Sequence, residues 1–399
     1  MALLALIRVT PAAAQGAADG GPDPAKVRVR IGPLYLNPTI SLTNLGIDRN
    51  VFNEAEDQNP KRDFTLTVVP RTDLWLRMGR TWFTGAIDEQ IVWYQKYTTE
   101  RAANTTYSLG WKVPLNRLTA NVGASYANVR DRPGFEIDAR SRRKELGYSG
   151  SVEVRALSKT FFGVTASRQK VDFDKDAVFL NSNLQFELNR VTTSGGLTVR
   201  HQITPLTSVS LTATRSQDRF EFSSLRDSNS TAAAATISFD PFALIKGSAT
   251  FGYRDFEPLT PGLENFKGAT AAVNLSYTLL GTTRFSLGAT RDVAYSYDVN
   301  QPYYLQTGVT GSIAQQLFGP FDVVGRAGAQ NLAYRDRAGV IIQASNRIDH
   351  VRTYGGGIGY RMGKDLRLGF NVDETRRVSD VELRQYHNLT MGISVTYGF

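Results

Sequence analysis

The sequence predicts an all-β protein, a transmembrane antiparallel up-and-down β-barrel of about 18 strands. Three observations predict it. In the last segment, Tyr386 to Phe399, residues Leu389, Met391, Ile393, Val395, Tyr397 and Phe399 share one parity, and Asn388, Thr390, Gly392, Ser394, Thr396 and Gly398 share the other. That is the period of a strand with one apolar face. From Leu36 onward the chain repeats such alternating segments, divided in strict turn by short and long connections. The segments also exceed the roughly nine to eleven residues that a tilted strand needs to cross hydrocarbon, where a soluble strand averages about five or six.

Composition agrees with this class. Hydrophobic residues make up 41% of the 399, mean hydropathy is −0.26 and there are 35 glycines, so no segment supplies the ~20 apolar residues of a membrane-spanning helix. Cysteine is absent, which excludes disulfides, thiolate metal sites and cysteine nucleophiles. The net charge of +9 favours anionic partners, among them lipid phosphate and acidic polymer. No recognition helix or long basic run accompanies it, so nucleic acid is not an expected partner.

Taken in order, residues 1–14 read as a truncated export signal: the apolar run Met1 to Ile7 precedes Ala12-Ala13-Ala14. Residues 15–34 read as a flexible periplasmic lead-in and residues 35–399 as the barrel. Short connections fall at turn-forming groups such as Gly79-Arg80-Thr81, Asn116-Arg117, Gly281-Thr282 and Gly363-Lys364. Long ones are polar and charged, as in Asp48 to Arg62, Arg130 to Arg143, Asp174 to Asn183 and Ser379 to Gln385. No segment reads as an amphipathic helix. In Trp82 to Tyr94, Asp88 and Glu89 put a charge on each face, which one β-bulge would repair.

Aromatic residues beside the short turns, including Trp82, Phe83, Trp111, Phe161, Phe162, Phe242, Phe285, Phe321 and Tyr360, predict an interfacial girdle. A weak repeat sets Arg168, Arg215 and Arg291 at equivalent outward positions, high on the wall, where a guanidinium fork suits a lipid phosphate. A bulge turning each inward is the competing reading. Parity places Arg71, Lys112, Arg155, Arg200, Arg254, Arg326, Arg361 and Arg367 toward the lumen, with Asp73, Glu153, Asn371 and Asp373 among them. A basic lumen biases passage toward anions. The same charges also serve to brace the wall between neighbouring strands.

The loop from Arg130 to Lys144, with Arg130, Arg132, Arg140, Arg142 and Arg143, is the segment best suited to constrict the pore. Catalysis is not expected. Gly147-Tyr148-Ser149-Gly150-Ser151 lacks the spacing of a nucleophile elbow, and the three histidines, His201, His350 and His387, are scattered. Gly355-Gly356-Gly357-Ile358-Gly359 lacks the Lys-Ser or Lys-Thr of a phosphate loop; glycine there lets a neighbouring aromatic lie across the strand or relieves curvature. No cofactor or metal is called for.

The start of the array resembles the β-barrel porin family found with bacterial exopolysaccharide export genes. The likeness rests on Leu36-Asn37-Pro38, Asp48-Arg49-Asn50-Val51-Phe52, Val69-Pro70 and the terminal Phe399. It implies a passive outer-membrane conduit for secreted polysaccharide, with outer-membrane lipids, an anionic polysaccharide and export machinery as partners. Tyr397 and Phe399 resemble the terminal signal read by barrel-insertion machinery. A general or anion-preferring diffusion porin is the alternative, and a barrel enzyme or adhesin a third. The oligomeric state is left open.

Overall fold

The computed structural model describes residues 21, 27–240, 243–342 and 344–398. The predicted signal at 1–14, Phe242 and Phe399 lie outside the described residues. A 19-stranded antiparallel sheet contains the short strand Val29–Ile31, which pairs with the start of the first long strand; the remaining eighteen are the staves of a closed barrel. The stretch from Val29 is therefore paired, although it falls within the lead-in expected to be flexible.

The staves are β1 (Leu34–Asp48), β2 (Asp63–Met78), β3 (Thr81–Tyr94), β4 (Ala102–Pro114), β5 (Leu118–Asp131) and β6 (Ser141–Arg155). They continue as β7 (Thr160–Phe173), β8 (Arg190–Thr204), β9 (Thr207–Phe220), β10 (Ser228–Phe239), β11 (Ile245–Pro258) and β12 (Phe266–Leu279). The last are β13 (Thr283–Tyr295), β14 (Tyr303–Gln316), β15 (Phe321–Arg335), β16 (Ile348–Met362), β17 (Leu366–Val378) and β18 (Tyr386–Tyr397). Each pairs with the next, and β1 pairs with β18, so the ring has no free edge.

Turns alternate in length as the sequence predicts. Gly79, Gly281, Gly319 and Gly363 take positive φ of 61°, 73°, 58° and 67° in the short ones. Two features escape the sequence reading. Ser296 to Pro302 is a further long connection, between β13 and β14. The β7–β8 connection is longer than expected and holds a small hairpin, Val178–Phe179 with Ser182–Asn183, then the helix α1 (Leu184–Leu188). The Asn183 side chain caps that helix by accepting from the Gln185 N–H at 2.9 Å.

The two faces separate cleanly. On β18, Met391, Ile393 and Tyr397 are exposed while Ser394 is buried. Along β7, Phe162 and Val164 are exposed on the face opposite Phe161 and Gly163. The inner face is identified by ion pairs that skip a strand, such as Arg200 on β8 with Glu153 on β6. Side chains of next-nearest strands converge only on the concave side of a curved sheet.

The expected bulge in β3 is absent. Registers from Thr65↔Tyr94 to Met78↔Thr81 and from Trp82↔Lys112 to Val92↔Ala102 run without a shift. Glu89 stays on the outer face, where the Thr105 hydroxyl and the Tyr107 hydroxyl each donate to it at 2.7 Å, so neighbouring donors rather than a register change accommodate it. A bulge occurs instead in β1, between Leu42 and Leu45, with Asn44 at φ 55°. It switches parity so that Leu42 and Leu45 keep one face. The girdle also needs correction: Phe83 and Trp111 stack outside with centroids 5.2 Å apart, but Trp82 is buried on the inner face against Tyr35, and Phe161 faces inward under Arg200.

The closing seam depends on Gly46. A Cβ there would collide with the Met391 carbonyl oxygen and the Gly392 backbone, whereas one at Gly325 meets nothing. Gly46→Val is expected to cost at least about 1–3 kcal/mol through this overlap and to deplete the compact, heat-modifiable band on gels, with Gly325→Ala unchanged. Equal folded yields for the two variants would refute this account of the seam.

Candidate functional site: the lumen and its constriction

Alternation places polar side chains inward, and glycine decides which of them meet. Arg326 on β15, Gly355 on β16 and Asp373 on β17 lie in one row, and Arg326 Nη2 donates to Asp373 Oδ1 at 2.8 Å over the glycine. A Cβ on Gly355 would strike that carboxylate, and one on Gly359 would strike Arg367 and Asp322. The same device recurs elsewhere. Glu153 stands opposite Gly163, whose Cβ would press on it, and receives Arg200 at 2.7 Å; Arg254 also skips a strand to reach Asp292 on β13 at 2.7 Å, although the space over the intervening Gly268 is taken by the Phe266 ring. The glycine-rich run in β16 thus makes room for charged side chains from both neighbours, not for an aromatic ring.

All the basic residues assigned to the lumen by parity stand on this inner face. Arg71 meets Asp73 at 3.0 Å and Asp88 at 3.4 Å; Arg361 meets Asp322 at 3.2 Å, and Arg367 Nε meets it at 2.9 Å. With Arg200, Arg254 and Arg326 also paired, most of the positive charge is matched within the wall. Arg155 lies over the Phe161 ring at 5.3 Å, and Lys112 faces inward from β4. This arrangement braces the wall more than it creates a one-signed field.

The β5–β6 loop folds into the barrel. Ile137 joins a dry cluster with Val171 and Phe173 of β7, Ala177 and Phe179 of the following loop, Leu184 and Leu188 of α1, and Tyr297. Phe135 packs against Tyr304, Leu332 and Tyr334 on β14 and β15. Since β15 is nine staves from β6 in a ring of eighteen, the loop bridges opposite sides of the long-loop end. Its arginines hold it rather than line a passage. Arg130 pairs with Glu100 at 3.3 Å, and Arg132 Nη2 donates to the Val51 carbonyl at 2.6 Å. Arg140 sits 4.5 Å over the Tyr94 ring, Arg143 meets Glu145 at 2.6 Å and also Asp131, and only Arg142 is exposed, 3.9 Å from Asp174.

The far side of the bridge is a buried ionic cluster. Arg347 donates twice to Asp349, both at 2.9 Å; Arg377 reaches Asp349 at 2.7 Å and Asp138 of the loop at 2.9 Å. Arg384 contributes to Asp138 at 3.5 Å, and Arg377 also donates to the Phe135 carbonyl at 2.9 Å. Glu136 accepts from the Ser296 hydroxyl at 2.6 Å. Nearby, Arg226 ties Glu187 at 2.5 Å to the Ser296 and Tyr297 carbonyls. These residues were not among the sequence-derived candidates. Arg377 shares the inward parity of Arg367 and Asp373 and was legible; Arg384 and Arg226 sit in loops, where parity is silent.

The remaining candidates are placed as follows. Arg168, Arg215 and Arg291 are on the outer face; Arg291 is engaged with the Thr307 hydroxyl at 2.9 Å and the Ala269 carbonyl at 3.2 Å. Tyr397 is exposed and outward. His201, His350 and His387 share the outer parity and lie beside Thr160, Asn331 and Glu374 respectively. Among the described residues no three metal-ligating side chains gather.

Two outcomes follow. Removing one partner of a buried pair strands the other charge at a cost of about 3–5 kcal/mol. Arg377→Met should therefore undock the β5–β6 loop, read as faster proteolysis within residues 132–140, with the strands still protected; unchanged protection would contradict the clamp. Burial raises the carboxyl pKa of Glu136, opposed by Arg384, the Ser296 hydrogen bond, Arg347 and Arg377. A carboxyl raised in the docked state favours docking fully below its ordinary value of 4.5 and loses that contribution as pH rises through the docked value. Arg226 and the Tyr297 and Tyr334 hydroxyls also face it. Loop proteolysis should thus quicken as pH rises through that value, and Glu136→Gln should flatten the profile.

Comparison with known proteins gives a family and a set of structural neighbours. The BenF-like porin of Pseudomonas fluorescens Pf-5 is 12% identical, with 91% of this chain and 98% of that one covered at a TM-score of 0.46. Pseudomonas aeruginosa OccK2 (OpdF) is 9% identical, covering 91% and 97% at 0.47, and Acinetobacter baumannii OccAB3 is 10% identical, covering 91% and 99% at 0.47. No curated protein matches the chain. The family profile described as Putative beta-barrel porin 2 matches residues 23–399, and the chain belongs to that family of β-barrel porins.

Proposed function

We propose that the protein is a passive outer-membrane channel that conducts an exopolysaccharide outward. One observation carries the reading: the β5–β6 loop bridges the long-loop end and is held there by a dry cluster and by the Arg377, Asp138 and Asp349 pairs. A folded-in loop also narrows the bore of a diffusion porin; it is the anchoring of this one at both sides by buried ion pairs and apolar packing that favours a conduit bridged until a polymer supplied from below arrives. The choice of polysaccharide rests on the resemblance at Leu36-Asn37-Pro38 and Asp48-Arg49-Asn50-Val51-Phe52.

The chemistry is that of a wall, not of a catalyst. Inward amides and hydroxyls pair within the wall, Asn121 donating to Ser151 and Asn371 to Ser394, and such groups offer hydrogen bonds to a sugar chain. The matched Arg–carboxylate rows give neither cations nor anions a continuous track. An anion-preferring diffusion porin is the second reading, favoured by the inward Lys112 and Arg155.

Planar-bilayer recording separates the two. The wild type is expected to show little steady current, the Arg377→Met variant an open channel in the nanosiemens range, and a strain lacking the gene a loss of surface polymer. A steady wild-type conductance with small-anion preference, together with undiminished surface polymer, would replace export by diffusion.

A further inference from the structure

We infer that the outer wall over β7, β8 and β9 is a binding site for the phosphate groups of a phosphorylated glycolipid in the surrounding leaflet. Three successive rows of the sheet carry it. Arg168 stands opposite Thr193, which stands opposite Gln217; Lys170 stands opposite Val191 and Arg219; Arg215 stands opposite Gly195. Gly195, opposite Arg215 and diagonal to Arg168, leaves the middle strand bare beside Arg215. Arg168, Lys170, Val191, Thr193, Gln217 and Arg219 line an open cavity of about 410 Å³, with Arg190, Phe220 and Glu221 at its rim.

The cations in and beside it are not equivalent, Arg215 standing one row below the cavity rather than lining it. Arg219 is committed to its own sheet, donating to the Asp218 and Ser228 carbonyls and to Asn229, each at 2.8 Å. Lys170 pairs with Asp172 at 3.0 Å while remaining half-exposed. Arg168 and Arg215 are exposed on the outward face, and among the described residues neither makes a hydrogen bond or ion pair. Arg291, at the equivalent repeat position, is instead bonded to Thr307 and Ala269, so the sequence equivalence of the three arginines does not extend to their surroundings.

Contact with a headgroup depends on side-chain reach, because the Arg168 backbone stands below the top of an apolar band about 25 Å tall. Below the cations the outward faces are apolar: Phe162, Val164 and Ala166 on β7, Leu197 and Val199 on β8, Leu211 and Ala213 on β9. Arg168 stands six positions beyond Phe162, ~15 Å up a wall tilted by ~40°, and its side chain extends further toward water. The exposed Tyr148 is its direct neighbour on β6, an amphipathic ring of the kind that settles at the interface. An unpaired outward guanidinium is costly at the bilayer midplane and nearly free at its edge. A forked phosphate contact at that edge converts the pair from a cost into a binding site.

The test uses the full-length folded barrel in detergent, with native mass spectrometry of adducts formed with a bis-phosphorylated acylated glucosamine disaccharide. Arg168→Gln/Arg215→Gln is expected to bind about tenfold more weakly, Arg291→Gln to bind as wild type, and the dephosphorylated lipid to bind poorly to all three. Millimolar inorganic phosphate should not displace the lipid. Retention of the lipid by the double variant, equal binding of the dephosphorylated lipid, or full displacement by inorganic phosphate would each overturn the assignment. So would loss of binding to a soluble anionic polysaccharide with lipid binding intact. If the double variant yields no folded barrel, each single variant is read the same way, an intermediate loss supporting the site and none opposing it.

Discussion

The interior of this barrel depends on neutralising inward charge, along a strand, between neighbours and, where a glycine allows it, across an intervening strand. An ionised side chain on the concave wall is partly removed from water and needs a counter-charge within a few ångströms. Nearest-strand partners are limited by the pleat, but a glycine on the intervening strand lets the next-nearest strand supply one. Arg326 over Gly355 to Asp373, and Arg200 past Gly163 to Glu153, are instances. The glycines therefore act on function: they convert a potentially one-signed lumen into matched rows that stiffen the wall and leave hydroxyls and amides between them.

The same rule, carried above the strands, positions the loop. Arg347, Arg377 and Arg384 face Asp349 and Asp138, and the set gains its second carboxylate only when the loop is docked. Withdrawing the loop removes Asp138 and leaves three guanidiniums around one carboxylate. The apolar cluster around Ile137 adds attraction without direction, while the ion pairs fix where the loop lands. Packing and electrostatics thus select one bridged geometry.

Much of this was legible in the sequence. Strand number, closure of first strand on last, and the inward parity of Arg71, Arg200, Arg254, Arg326 and Arg367 all follow from a period of two, because a one-residue slip would expose every polar side chain to the apolar face. Less was legible where parity is broken or undefined. The Asn44 bulge moved the parity change from β3, where Glu89 suggested it, to β1. Ser296 to Pro302 carries no glycine and only two charged or aromatic landmarks, so it passed within an alternating stretch although Asp298, Asn300 and Pro302 are turn formers; it supplies Ser296 and Tyr297 to the bridge. The arginines of the β5–β6 loop were visible as charge, but apart from Arg143, bonded to Glu145 two residues on, targets such as Glu100, Val51 and Tyr94 lie at sequence separations that no local pattern encodes.

The central claim is that residues 132–140 are docked inside the barrel, and the absence of native cysteine gives direct access to it. Thiol labelling compares Ile137→Cys, buried in the bridge at 3% exposure, with Ile341→Cys, which is 99% exposed on the β15–β16 loop. The account predicts that a water-soluble maleimide modifies position 341 rapidly and position 137 only slowly, with Arg377→Met restoring fast labelling at 137. Equal labelling rates at the two positions in the otherwise unaltered protein would contradict it.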